Sequence, residues 1–204
     1  MATSVVEICN NALQHLGANP IMALDDGSKE ASYANQFYAQ TRDAILRAHP
    51  WNFAIRRQAL AKAATAPIFG FANAFTLPAD PYCLRVLETD PPEAYYKIEG
   101  RSLLTDEGAI SIRYIASEED PSRFDPLFTE ALAAALAAKL AFPVVESATL
   151  QKLMIELAIA KLAEARSIDS QEGSTDPASI DVLVNVRHTS GFWAWDRNLP
   201  GSTF

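Results

Sequence analysis

His49-Pro50-Trp51-Asn52-Phe53-Ala54-Ile55-Arg56-Arg57-Gln58-Ala59-Leu60-Ala61-Lys62-Ala63 sets how far helix extends into the first half of the chain. Pro50 disfavours helical geometry at His49, so a helix arriving from the N-terminal side breaks there. Trp51 and Phe53 then place large apolar surface at a corner. Beyond the corner, Arg56, Leu60 and Ala63 predict a third helix. The fold class that follows is mainly α: a helical bundle with an inserted small antiparallel β-subdomain and an extended C-terminal arm.

Upstream of the corner, Ser4 and Glu7 form a capping box for a first helix to about Leu16, stopped by Gly17. Val5, Ile8, Cys9, Ala12, Leu13 and Leu16 recur at helical spacing. A turn through Asp25-Asp26-Gly27 leads to a second helix from about Ser28 to Ala48, with Ala34, Phe37, Tyr38, Ile45 and Leu46 on its apolar stripe. Downstream, character changes at Pro67. Phe75-Thr76-Leu77, Cys83 to Leu87, Tyr95 to Glu99 and Ile110 to Ile115 are short apolar or alternating runs between proline and glycine turns. They predict a small antiparallel sheet over about residues 74–115.

Helical pattern returns at Asp125-Pro126, an N-cap followed by proline at the first helical position. Phe128, Leu132, Leu136 and Leu140 step along this helix, alanines fill the other faces, and Pro143 is expected to end it. Those alanines suit an ordinary bundle core and equally a face packed against other copies of the protein. Ser147 opens a last amphipathic helix with Leu150, Leu153, Met154, Leu157 and Leu162, and with Lys152 and Glu156 paired outside. Asp169 to Pro177 reads as a polar linker. The organisation expected is a core over 1–168, with helices in 4–66 and 125–168, then a linker and C-terminal arm over 169–204.

A chain of 204 residues with 49% hydrophobic and 21% charged residues is ordinary for a globular protein with one sizeable core. Its net charge of −8, with no basic run, argues against gripping nucleic acid by its backbone. Cys9 and Cys83 read as reduced, buried cysteines. Met1-Ala2-Thr3-Ser4 lacks the pattern of a signal peptide, so synthesis in the cytoplasm is expected. Ala131 to Val145 is too short and interrupted to be expected to span a bilayer.

Catalytic, cofactor and metal residues are not found in the sequence. His15, His49 and His188 lie on different elements and form no close-spaced ligand pair. Asp25-Asp26, Asp106-Glu107 and Glu118-Glu119-Asp120 fall where turns are expected and read as solvated acids. The C-terminal segment is the candidate partner-binding site. Ile180, Val182, Val184 and Val186 share one face if extended, which suits strand addition or a groove. Phe192, Trp193 and Trp195 are typical interface anchors, with Arg197 available for a carboxylate. Such an arm either docks on another chain or folds back on its own domain.

The junction sequences, taken in order, resemble the head-to-tail adaptor (connector) proteins of tailed bacteriophages, the tail tubular protein A-like family. The matching pieces are Asn11-Ala12-Leu13 with Leu16-Gly17, Asp25-Asp26, Arg42-Asp43 and His49-Pro50-Trp51-Asn52-Phe53-Ala54. Tyr96-Lys97-Ile98-Glu99-Gly100, Leu103-Leu104-Thr105-Asp106, Ile112-Arg113-Tyr114-Ile115 and Pro121 to Phe128 continue the series, over residues 4–168. The resemblance implies a structural virion protein, made in the host cytoplasm and placed at the head–tail junction. Such proteins form a ring of about twelve copies under the portal protein. They extend the DNA channel without binding DNA specifically, attach tail or nozzle proteins, and need no cofactor, membrane or enzymatic activity. A cell-wall hydrolase using a pair among Glu118, Glu119 and Asp120, or a transient virion assembly factor, are the alternatives.

Overall fold

The computed structural model describes residues 4–172. The chain divides after Ser170, and the unit Met1–Ser170 carries both hydrophobic cores. Its elements are α1 (Val5–His15), α2 (Lys29–Ala48), a 3-10 turn (Asn52–Ala54), β1 (Ile55–Ala59), β2 (Ala61–Lys62), β3 (Asn73–Thr76), β4 (Cys83–Asp90), β5 (Tyr96–Glu99), β6 (Ser102–Thr105) and β7 (Ser111–Ala116). A second 3-10 turn (Pro121–Arg123) precedes α3 (Pro126–Val145) and α4 (Ala148–Gln171). The expected mainly α bundle is corrected. Helix takes 48% and strand 21%, the strands forming antiparallel sheets of three and four, so the protein is mixed α/β.

The third helix is where the expectation fails. Arg, Gln, Ala, Leu and Lys are all good helix formers, but residues 55–62 are strand. β7 supplies the reason. It is the centre of the sheet β1-β7-β4, and Ile112, Tyr114 and Ile115 are all buried. A buried strand with one bare edge would leave its amides and carbonyls unpaired. β1 covers that edge, in register from Ile55↔Ile115 to Ala59↔Ser111. The chain then changes sheets at Leu60, whose N–H donates to the Ile110 carbonyl at 2.9 Å. β2 belongs to the second sheet, ordered β2-β3-β6-β5. The strand region thus begins at Ile55, well before residue 74.

β7 also divides the two cores by its period of two. Ile115 faces a helical core, whereas Ile112, Tyr114 and Ala116 face a strand core with Phe75, Leu77 and Leu103. In the helical core, α3 packs against both α1 and α2. Asp125 caps it as read, its Oδ1 accepting from Leu127 N at 2.8 Å and Phe128 N at 3.2 Å. Ala131, Ala134 and Ala137 are buried inside the chain, so these small residues serve close packing within one copy. By length and hydropathy α3 could cross a membrane, but it is the core helix here.

Two helix ends differ from expectation. α3 continues past Pro143 to Val145 and stops at Glu146, which adopts φ 58° and donates its N–H to Phe142 O at 2.9 Å. A proline in the last turn removes only one amide bond, so the helix survives it by half a turn. α4 runs through Asp169 to Gln171, taking the start of the expected linker. Its Met154, Ala158, Ala165 and Asp169 face inward. The pair expected between Lys152 and Glu156 is not among the ion pairs of the described residues; Lys161 instead holds Glu130 at 3.0 Å and Glu164 at 3.4 Å.

Candidate functional site

Ile180, Val182, Val184, Val186, Phe192, Trp193, Trp195, Arg197 and His188 lie outside the described residues. What the structure does place is the set of junction motifs, of which Arg42-Asp43 and the His49–Ala54 corner join distant parts of the chain, while Asp25-Asp26 makes a local turn. Asn10, beside Asn11-Ala12-Leu13, receives Ile21 N at 2.8 Å and donates to Ile21 O at 3.0 Å, tying α1 to the following loop. Asp26 accepts from Met22 N at 3.2 Å and from the Ser28 amide and hydroxyl at 2.9 and 2.6 Å. Those Ser28 bonds hold its carboxyl below the usual aspartate range and fix the entry to α2.

The corner after Pro50 is the densest joint. Trp51 is fully buried, donates Nε1–H to Ile45 O at 3.1 Å, and meets the Phe128 ring edge-on at 5.0 Å. Phe53, Phe124 and Phe128 close the cluster, with centroids 5.0 to 5.8 Å apart. His49 and Asn52 reach the far end of α4. His49 Nε2 lies 3.0 Å from Asp169 Oδ2, Asn52 N donates to Asp169 Oδ1 at 3.0 Å, and Asn52 Nδ2 donates to Asp169 O at 2.7 Å. Asp169 is buried, so three partners replace the water its carboxylate and carbonyl lose. The signal for Asp169 was absent from sequence, where a polar run suggested only a linker.

The acidic turn is split. Glu119 and Asp120 are exposed, as solvated turn acids should be. Glu118 is not: it is buried, and Oε2 meets Arg56 at 2.7 Å and Arg123 at 3.3 Å. The expectation is corrected at Glu118 alone, where Arg56 of β1 and Arg123 hold the carboxylate while the next two acids of the turn stay in solvent. Next to it, buried Arg42 of α2 bonds Asp43 at 2.9 Å and Ser117 at 3.2 Å, and reaches Glu119 at 3.5 Å. Ser117 Oγ donates to Asp43 at 2.9 Å, closing the network that joins α2 to the turn. Arg42-Asp43 is therefore a structural pair.

A polar groove of about 600 Å3 runs beside this turn, between Arg56, Tyr82, Tyr114 and Glu118. Acid–base work on a glycoside needs two carboxyls with separated proton affinities. Here Glu118 is matched by two guanidiniums, and hydrogen bonds from the Ser122 hydroxyl and amide hold Asp120 below the usual range. Burial pushes the Cys9 thiol up to about 12 and raises Cys83, and both cysteines are free and buried. Among the described residues no cluster of His, Cys, Asp or Glu could hold a metal ion.

Exposed apolar residues are the feature sequence reasoning missed. Ile68 and Phe69 stand out from the β2–β3 loop, and Leu153, Ile155 and Ile159 from α4. Apolar residues between Pro67 and Gly70 on a predicted turn were the available signal. No protein-family model matches the chain, and no curated protein matches it.

Proposed function

We propose that the protein is a structural virion component, a head-to-tail adaptor that forms a ring under the portal, extends the DNA channel and attaches the tail. The observation that carries this reading is the ordered series of junction motifs across residues 4–168. One structural feature is compatible with it: Arg42-Asp43, the His49–Asn52 corner and Asp106 make long-range ties that hold the scaffold rather than a reaction site. A net charge of −8 suits a channel wall that lets DNA slide. The C-terminal arm within 169–204, with its valine-rich stretch and paired tryptophans, is the portal-docking or neighbour-docking element in this reading.

The ion-paired state of Glu118 and the exposure of Glu119 and Asp120 favour the non-catalytic reading over the hydrolase. Replacing all three with the corresponding amides should remove no peptidoglycan-cleaving activity; turnover lost on that replacement would establish the enzyme instead. The direct test of the adaptor is quantification of the protein in purified particles. Many copies per vertex support the adaptor, whereas absence from finished particles with tails makes it a transient assembly factor.

A further inference from the structure

Two apolar patches lie on different cores and carry matching charges. The first is the β2–β3 loop. Ile68 is 100% exposed and Phe69 87% exposed. The loop is nonetheless tied down: Phe71 stacks on Tyr95 at 5.6 Å, and Ala72 N donates to Asp106 at 2.8 Å. With the four-stranded sheet it lines a groove of about 420 Å3, whose β5 wall carries Lys97 and Glu99. The second patch is the outer face of α4, where Lys152, Ile155, Glu156 and Ile159 are all exposed. Ile155 is 45% and Ile159 63% exposed, large values for isoleucines in a folded helix.

None of Lys97, Glu99, Lys152 and Glu156 has an ion-pair partner among the described residues. Their spacings agree. Residues four apart on a helix are separated by about 6.0 Å along its axis. Residues two apart on a strand are separated by about 6.6 Å and share a face. Set antiparallel, Lys97 meets Glu156 and Glu99 meets Lys152, while Ile68 and Phe69 lie against Ile155 and Ile159.

We propose that the β2–β3 loop and β5 wall of one copy dock on the outer face of α4 of a second copy. This rests on the ring reading and names its lateral contact. The two surfaces differ, so the contact is head-to-tail and each copy can pass it on, which is what a ring requires. Each patch is small, so one contact is weak and gains strength when many copies are held side by side. The charges set register and exclude the parallel arrangement, which would oppose like charges.

The full chain with Phe69→Cys and Ile159→Cys tests it under mild oxidation, the native Cys9 and Cys83 being buried. A ladder of covalent oligomers is expected from the double variant. An equimolar mixture of the two single variants should give mixed dimers and nothing longer. Cross-linking should exceed by about tenfold that of Met22→Cys with Ile159→Cys, Met22 being 91% exposed. Lys97→Glu with Glu99→Lys should reduce the ladder about tenfold, and adding Lys152→Glu with Glu156→Lys should restore it. All these positions are exposed, and circular dichroism checks that each variant is folded. No ladder, dimers from Phe69→Cys alone, equal yield from the Met22 pair, or no restoration would each overturn the contact. If portal captures a ring while the ladder fails, the contact is wrong and the adaptor stands; a ladder without portal capture leaves the contact and removes the adaptor.

Discussion

At the scale of single residues, buried polar groups with complete sets of partners hold the molecule's corners. The Asp169 side chain accepts from the Asn52 amide and meets His49, while its carbonyl takes the Asn52 side chain. Asp169→Ala leaves the Asn52 amide unpaired in a half-buried joint and should cost about 2–3 kcal/mol, read by urea unfolding. Cys9 gives a pH effect of definite sign. Its thiol ordinarily titrates at 9.0 and is pushed up to about 12 in the fold. Between those values the unfolded chain has lost a proton that the folded chain retains. Stability should therefore fall as pH rises through that window. Tyr38, raised from 10.0 to about 12 by its own burial, acts in the same direction. Melting temperatures from about pH 8 to about pH 11 should show a shallower fall for Cys9→Ala than for the native chain.

At the scale of elements, α3 is bound to the Pro50 corner through Phe128, which is fully buried against Trp51, Phe53 and Phe124. Phe128→Ala should destabilise by about 3–5 kcal/mol in denaturant melts, since three rings lose their common neighbour. The four helices were legible from sequence because local signals mark their pattern and their starts: Ser28 and Asp125 cap α2 and α3, whereas the ends of α3 and α4 were misplaced. Four of the strands over 73–116 were legible from alternation and turns; β6 at Ser102–Thr105 was not, nor was the division into two sheets. Residues 55–62 were not, because their side chains favour helix and the demand for strand comes from the bare edge of β7, fifty or more positions away in sequence. The same limit applies to the site. Nothing near Glu118 announces Arg56, and nothing near His49 announces Asp169, because both partners come from elsewhere in the fold. The linker and arm over 169–204 were read entirely from their own residues.

At the scale of the whole molecule, α4 carries helix through Gln171, past the point where a linker was expected to begin. A deletion starting at residue 170 would cut into the helix that Asp169 anchors, so the informative truncation removes 173–204. The truncated chain should keep the native melting temperature and far-ultraviolet spectrum but fail to attach to portal-bearing capsids, as followed by co-sedimentation. Trp193→Ala with Trp195→Ala should show a milder form of that loss. Normal attachment by the truncated chain would move the interface onto the folded core. The central claim, a ring beneath the portal, is tested most directly by electron microscopy of the full chain mixed with its portal protein. The expected image is a closed ring of about twelve copies sharing the portal's axis and lengthening its channel. Portals that stay bare, or that carry a single copy while tails still attach, would contradict it.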